Sequence, residues 1–242
     1  MAGRGSRFFE NGFVQPKPLI EIHGAPFFYW AARSIEKNIP LDGITFVVLK
    51  EHIRDFALDA RIRACWPDAR IVALDDVTPG AAVTCQKGCE GLPDGVPVLF
   101  NDCDHLFLCR AFDEFCRAGN FASGPDGALL TFPSDSPAYS YLQYGENGLV
   151  CRTVEKQVVS RDAICGAYYF KDKATYLSAC AEYLHTCQYQ EFFVSGVYNV
   201  MAGRGQAVRG FATDLHLPFG TPAEYALAER PENAAGFEAL KA

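Results

Sequence analysis

The sequence predicts an α/β fold in which helices cover both faces of a mostly parallel sheet. Helix-like segments alternate with strands through the first hundred residues, and the strands are apolar throughout, without polar alternation. Continuous apolar strands are typical of a sheet that is buried on both faces. The length of 242 residues lies within the range of one such domain, so we expect a single domain over residues 1–242.

The first half of the chain supplies this alternation. Pro26 opens a helical run, because proline is favoured in the first turn of a helix. The predicted elements are, in chain order, the helix PFFYWAARSIEKN, the strand ITFVVLK, the helix EHIRDFALDARIRAC, the strand ARIVALDD, the helix GAAVTCQKGCEGL and the strand VPVLFNDCD.

After Gly119 the pattern changes to strands with turn signals between them. Asn147-Gly148 is a strong hairpin signal between two of these strands. The predicted strands are GALLTF, YSYLQY, GLVCRTVEK and AICGAYYF. They are followed by helices near 173–187 and 192–203, a strand near 206–212 and a helix that starts at Pro222. The second copy of MAGRG, at 201–205, is interpreted as a glycine turn that ends a helix.

Composition and charge exclude several classes of function. The net charge is −7 and lysine and arginine are not clustered, which argues against a nucleic-acid partner. No apolar run approaches the roughly 18 to 20 residues that span a bilayer, and the chain shows no export signal. The ten cysteines include no C-x-x-C pair, which favours reduced thiols over structural zinc. We therefore expect a cytoplasmic protein with no membrane partner.

The stretch AGRGSRF has features of a phosphate-binding loop. Gly3 and Gly5 allow backbone conformations that other residues avoid and bring N–H groups close to a ligand, and Arg7 adds a forked donor. Ten residues later, Lys17 lies between two prolines that stiffen the segment and hold the ammonium in place. Either feature alone is more often an ordinary turn or a solvated lysine. Together they favour a phosphate site.

Several motifs in order extend this pattern along the chain. With MAGRGSRF and KPLIEIHG at its start, the chain resembles the nucleotidylyltransferases that activate sugar 1-phosphates, of the glucose-1-phosphate thymidylyltransferase type. GAAVT at 80–84 is similar to the base-contacting loop of that family, VEK at 154–156 to its substrate-phosphate segment, AICGAYYF at 163–170 to the strand beneath the sugar, and GTPAEY at 220–225 to its closing motif. The resemblance implies a three-layer αβα nucleotide-binding fold, GT-A or Rossmann-like, with an antiparallel substrate-binding subregion.

The resemblance also implies roles for individual residues. Arg7 and Lys17 would be catalytic, Arg7 on the β- and γ-phosphates and Lys17 on the α-phosphate of a nucleoside triphosphate. Glu155 would accept a substrate hydroxyl and Lys156 would hold the phosphate of a sugar phosphate or another small phosphorylated metabolite; for both, an exposed cross-strand charge pair is the alternative. The remaining candidates are Ala2, Gly3, Gly5, Gly80, Ala81 and Thr84 for the nucleotide, and Gly166 for the substrate.

Two aspartates are candidate ligands for a magnesium ion. Asp102 and Asp104 follow an apolar strand, where open α/β sheets bind ligands, and carboxylate oxygens suit the hard cations that accompany nucleotides. Asp104 resembles the metal-binding aspartate of the family, Asp102 is a helper or bystander, and a helix-capping role for Asp104 is the alternative. The family usually has a second aspartate where this chain has Pro218, and Asp214 cannot be assumed to replace it.

Two other functions compete with nucleotidyl transfer. Asp102-Cys103-Asp104 is a D-x-D sequence of the kind that GT-A glycosyltransferases use to bind a metal and a sugar nucleotide. A nucleotide-sensing relative that has lost catalysis is the second alternative, supported by the missing aspartate. The nucleotide base, the phosphorylated substrate and whether the chain forms a homo-oligomer are left open; a role in making surface polysaccharide is expected.

The start of the chain carries one further expectation. In the resembling family the glycine loop follows a buried apolar strand, and here Met1 stands where that strand has already ended. We therefore expect that the first strand is missing from this sequence and that about five or six apolar residues, a typical strand length, are encoded just upstream.

Overall fold

The computed structural model describes residues 1–241, and its alternating helices and strands confirm the α/β class. Contacts divide the chain into two compact units, and the single-domain prediction stays a prediction. Unit 1 comprises Met1–Thr78, Asp102–Leu108 and Leu215–Ala242; unit 2 comprises Pro79–Asn101 and Cys109–Asp214. Within residues 1–241, no helix combines the length and the apolar character needed to cross a membrane.

Ten α-helices and twelve strands form within the described residues. The helices are α1 (Ser6–Glu10), α2 (Phe27–Glu36), α3 (Lys50–Phe56), α4 (Leu58–Cys65), α5 (Ala81–Cys89), α6 (Arg110–Ala118), α7 (Lys173–Thr186), α8 (Val194–Gly203), α9 (Pro222–Ala228) and α10 (Ala234–Lys241). The strands are β1 (Glu21–Ile22), β2 (Ala25–Pro26), β3 (Thr45–Leu49), β4 (Arg70–Leu74), β5 (Val98–Asn101), β6 (His105–Leu108), β7 (Gly127–Pro133), β8 (Ser140–Tyr144), β9 (Val150–Glu155), β10 (Asp162–Phe170), β11 (Val208–Ala212) and β12 (Leu215–Pro218).

Unit 1 contains the parallel pair β3–β4 and the antiparallel pair β6–β12. An aromatic core that includes Phe27, Trp30, Phe219 and Phe237 packs α2 and α10 against the β6–β12 pair. The predicted continuous helix EHIRDFALDARIRAC is wrong in one respect, because the chain breaks into α3 and α4 at Ala57. This residue has φ of 50°, in the left-handed region that ends a helix.

Unit 2 is built on a six-stranded sheet with the order β11-β7-β10-β8-β9, in which β5 also pairs with β10. The pair β7–β11 is parallel and the other pairs are antiparallel, so the predicted antiparallel strands after Gly119 are present. Helix α8 ends in the predicted glycine turn: Gly205 has φ of 74°, and Gln206 N–H donates to the Met201 carbonyl.

Strand β10 presents alternate aromatic rings to the two faces of this sheet. Tyr168 and Phe170 contact Tyr198 of α8, whereas Tyr169 contacts Phe112 of α6. These aromatic residues therefore alternate between the two faces, as side chains along a strand do, and the sheet of unit 2 carries helices on both faces.

Asp113 of α6 is a buried carboxylate whose Oδ1 atom has no hydrogen-bond partner among the described residues. Burial raises its pKa to about 6. A folded-state pKa above the unfolded value means that the folded protein loses stability as the pH rises from about 4 to about 6 and stays destabilised above that range.

Asp113→Asn is therefore expected to raise the free energy of unfolding at pH 8 by about 2–3 kcal/mol, because the neutral amide carries no desolvation penalty for charge. The gain should vanish near pH 4, where the wild-type carboxyl is also neutral. Urea denaturation at both pH values measures the difference, and Glu114→Gln, on the exposed neighbour, is the control. A variant that is less stable than the wild type at pH 8 would contradict the prediction.

Candidate functional site

The glycine loop lies against Lys17, the lysine that the sequence predicts to bind phosphate. Gly5 has φ of 65°, and a Cβ at this position would stand 2.9 Å from Cβ of Lys17. Gly5 is thus required by the fold. A Cβ at Gly3, by contrast, would meet no atom within 4 Å, so packing within the chain does not demand glycine there. Close approach of a ligand is one reason to have glycine at such a position.

The two arginines near this loop differ in their partners. Arg4, which is not among the predicted site residues, donates from Nη2 to Asp76 Oδ1 at 3.0 Å, and its Nε lies 3.6 Å from Glu51 Oε1. Arg7 is exposed, and no described residue forms an ion pair or side-chain hydrogen bond with its guanidinium. Of the two, Arg7 is the better candidate to bind an incoming phosphate, because Arg4 already has carboxylate partners.

Lys17 forms a close ion pair with Asp104, 87 residues later in the chain. Lys17 lies between Pro16 and Pro18 and starts a 3-10 turn over Lys17–Leu19. The Lys17 side chain is 23% exposed and that of Asp104 24%. Burial alone would lower the pKa of Lys17, but Asp104 raises it above its ordinary value, and Lys17 in turn keeps the pKa of Asp104 below its usual range.

The closing motif Gly220-Thr221-Pro222 lies beside this ion pair. Strand β12 pairs Pro218 with His105, and Phe219 N–H donates to the Asp104 carbonyl at 2.9 Å. A Cβ at the next residue, Gly220, would overlap Oδ2 of Asp104. The fold therefore needs glycine at 220 so that the Asp104 carboxylate can approach the backbone.

The other acidic candidates are placed differently. Asp102 is exposed. Asp214 accepts hydrogen bonds from the backbone N–H of Arg110 at 2.8 Å and from its guanidinium at 2.7 Å and 2.9 Å. Both carboxylate oxygens of Asp214 are therefore bonded to Arg110 at the start of α6, which argues against Asp214 as a replacement for the aspartate missing at Pro218.

The residues around Asp104 fit a hard divalent cation. The carboxylate oxygens of Asp104 are donors that suit this cation, Gly220 carries no side chain that would overlap Oδ2, and the ion pair with Lys17 shows that the carboxylate already binds one positive charge. His105 is buried, and its burial lowers the pKa to about 4, so its imidazole is neutral near pH 7.

In unit 2, the predicted base-contacting loop is held by the backbone of Phe192. Ala82 N–H donates to the Phe192 carbonyl at 2.9 Å, and Phe192 N–H donates to the Pro79 carbonyl at 3.1 Å. Gly80 has φ of 146°, and a Cβ there would overlap the Phe192 backbone. Ala81 remains exposed, and the Thr84 hydroxyl lies 3.4 Å from the Gly80 carbonyl. These backbone hydrogen bonds hold the loop in place, and Ala81 is exposed and accessible to a ligand.

Glu155, at the end of β9, is held by two serine hydroxyls. Ser140, directly opposite on β8, donates a close hydrogen bond to Oε2, and Ser195 near the start of α8 donates to the same atom at 3.2 Å. Among residues 1–241, neither Glu155 nor Lys156 forms an ion pair with a residue on a neighbouring strand, so the alternative of a cross-strand charge pair is not the observed arrangement. The two serines were not predicted, because only strand register and helix packing bring them to Glu155.

Lys156 and Gly166 both have unusual backbone conformations. Lys156 has φ of 54°, which costs a residue with a Cβ about 1–3 kcal/mol, and its Nζ lies 5.1 Å from the ring centroid of Phe193. Gly166 has φ of 102° and lies in a bulge where β10 shifts register against β7. Bulges and strained residues concentrate at functional sites, which supports a role for this part of unit 2.

Comparison with known proteins identifies solved structures that share this fold. A nucleoside-diphosphate-sugar pyrophosphorylase from Vibrio cholerae RC9 superposes with a TM-score of 0.79 at 24% identity, over 95% of this chain and 98% of that one. An inositol-1-phosphate CTP transferase from T. maritima has a TM-score of 0.76 at 16% identity, over 99% and 93%. A protein assigned as a glucose-1-phosphate thymidylyltransferase from Bacillus anthracis, in complex with a sucrose, has a TM-score of 0.73 at 18% identity, over 94% and 92%.

No protein-family model and no curated protein matches the chain. At these identities, the likeness to solved structures shows the fold alone. It confirms the predicted α/β fold class along nearly the whole chain.

Proposed function

We propose that this protein is a nucleotidyltransferase. It joins a nucleoside monophosphate from a nucleoside triphosphate to a sugar 1-phosphate or a similar phosphorylated metabolite and releases pyrophosphate. The observation that carries the proposal is the ion pair of Lys17 and Asp104. The glycine loop lies against Lys17, and Gly220 of the closing motif lies against Asp104. The shared fold with a sugar-nucleotide pyrophosphorylase and a CTP transferase supports the same reaction class.

The reaction needs positioning and charge neutralisation rather than a covalent protein intermediate. A phosphate oxygen of the substrate attacks the α-phosphorus, and pyrophosphate leaves from the opposite side. Arg7 and the amides of the glycine loop hold the β- and γ-phosphates, so that pyrophosphate is a better leaving group. Lys17 neutralises the α-phosphate as negative charge is redistributed.

The substrate is recognised by residues of unit 2 in this proposal. Glu155, whose Oε2 already accepts two serine hydroxyls, accepts a substrate hydroxyl at its other oxygen. Lys156 holds the incoming phosphate, and Gly166 lets the β10 backbone approach the substrate. The loop of Gly80, Ala81 and Thr84 contacts the base.

Asp104, with Asp102 as a helper, would hold a magnesium ion. When bound, magnesium supplies charge neutralisation for the phosphate oxygens. The donor set favours this cation, because carboxylate oxygens are its usual protein ligands. The same proposal includes a cytoplasmic location and a role in surface polysaccharide synthesis, and it leaves the oligomeric state open.

Pyrophosphate release tests the function directly. Purified protein is incubated with Mg²⁺, each of the four common ribonucleoside triphosphates and dTTP, and a panel of sugar 1-phosphates and polyol phosphates. We expect pyrophosphate with one triphosphate and one phosphorylated substrate, and no pyrophosphate when either is omitted. Hydrolysis or transfer from a nucleotide diphosphate sugar without use of triphosphate would favour the glycosyltransferase alternative. Tight nucleotide binding without pyrophosphate would favour a sensing relative.

A further inference from the structure

We propose that Glu224 of α9 is the second carboxylate of the cation site at Asp104. It takes the role that Pro218 cannot fill, since proline has no side-chain ligand atom. The inference rests on the proposed nucleotidyltransferase function, because the cation is the one that accompanies the nucleotide.

Gly220 brings the two carboxylates to one place. A Cβ at Gly220 would overlap Oδ2 of Asp104 and would stand 3.5 Å from Oε2 of Glu224. Both oxygens therefore face the same bare α-carbon, although their residues are separated by more than a hundred positions in the sequence. A side chain at 220 would overlap Oδ2 and crowd Oε2, and glycine removes that obstruction from the place where the two oxygens approach.

The charge balance at this place favours two carboxylates. Asp104 is already neutralised by the ammonium of Lys17, so a divalent cation at Asp104 alone would be repelled by Lys17 without compensation. Glu224 supplies an additional negative charge beside Asp104. The two carboxylates would then hold a divalent cation, and the Lys17 ammonium would be free to turn to the α-phosphate. The proposed reaction requires this positive charge at the α-phosphate.

Glu224 is held in place before any ion binds. Thr221, the residue that caps α9, donates from its hydroxyl to Oε2 of Glu224 at 3.1 Å and accepts from the Glu224 backbone N–H at 3.2 Å. These two hydrogen bonds hold the Glu224 side chain at the start of α9 and lower the entropy cost of using it as a ligand. A capping role alone would account for the Thr221 contacts, so the test must separate the cap from the charge.

The variant Glu224→Gln separates the helix-capping role of residue 224 from its charge. The amide oxygen of glutamine can accept the Thr221 hydroxyl, and the backbone N–H of residue 224 is unchanged, so the helix start is kept while the charge is lost. Glu229→Gln, on a residue of the same segment whose carboxylate accepts from the Tyr225 hydroxyl at 3.0 Å, is the matched control. The probe is Mn²⁺ alone, titrated by the electron paramagnetic resonance signal of the free ion. Each variant is measured in the wild-type and in the Lys17→Met background, where no ammonium competes for Asp104.

In the Lys17→Met background, we expect Glu224→Gln to weaken Mn²⁺ binding by about tenfold or more and Glu229→Gln to change it less than about twofold, because affinity follows the number of charged ligands. Circular dichroism and melting temperature should be the same for both variants. Equal Mn²⁺ affinity of Glu224→Gln and Glu229→Gln, or no Mn²⁺ binding by Lys17→Met at millimolar concentration, would overturn the proposal. Since the titration uses no substrate, a failure of pyrophosphate release would count against the proposed function and not against this ligand.

Discussion

Lys17→Met is expected to lower turnover by about 10²-fold or more, the size of effect found when an electrostatic stabiliser of a transition state is removed. Methionine keeps the length and apolar stem of lysine, so the change removes the charge and little else. The physical reason is that the flanking prolines and Asp104 hold the Lys17 ammonium in place, which limits the reorganisation needed for it to meet the α-phosphate. Steady-state pyrophosphate release measures the effect.

Lys50→Met provides the matched control for this prediction. Lys50 also pairs with an aspartate, Asp75, but both side chains are mostly exposed, and exposed pairs contribute little. We expect turnover within a few-fold of the wild type for Lys50→Met. The same result for Lys17→Met would remove Lys17 from the mechanism.

The same variant has a consequence for stability. Lys17 keeps the pKa of Asp104 below its ordinary value, so the pair stabilises the fold at neutral pH, and this contribution is lost as the pH falls through the folded-state pKa of Asp104. Lys17→Met leaves a largely covered carboxylate without its cation and should cost about 1–3 kcal/mol at pH 7. Adding Asp104→Asn should recover most of that stability and none of the turnover, which separates folding from catalysis.

Asp104→Asn alone is the second change with a large expected effect. The amide keeps the shape of the carboxylate and removes its charge, so dependence on Mg²⁺ should weaken sharply and turnover should fall by about 10²-fold or more. Asp102→Asn should be milder, because the Asp102 side chain is exposed whereas that of Asp104 is 24% exposed and lies against Gly220. Magnesium titrations of pyrophosphate release compare the two.

The reverse order of effects would change the assignment. If Asp102→Asn lost more activity than Asp104→Asn, the primary ligand would be Asp102, and the D-x-D function of a glycosyltransferase would gain support. Asp75→Asn, on an exposed aspartate of the same unit, controls for a general effect of charge removal and should leave the magnesium dependence unchanged.

Secondary structure was predictable wherever the signal lies within a few neighbouring residues. The apolar run of β3, the proline before α2 and the glycine turn after α8 all lie where the sequence places them, because backbone preferences act locally. The break at Ala57 was missed, since alanine has a strong helix-forming preference and gives no local signal for a φ of 50°.

The sequence by itself determined the α/β class, the stiff segment around Lys17 and the motifs that suggest nucleotidyl transfer, since each depends on composition or short spacing. Only the tertiary structure decided that Lys17 meets Asp104, that Gly220 and Glu224 stand at the same carboxylate, and that Ser140 and Ser195 hold Glu155. The physical reason is that these contacts join residues far apart in the chain. Strand register and the packing of helices on strands set them, and a single sequence carries no local signal for either.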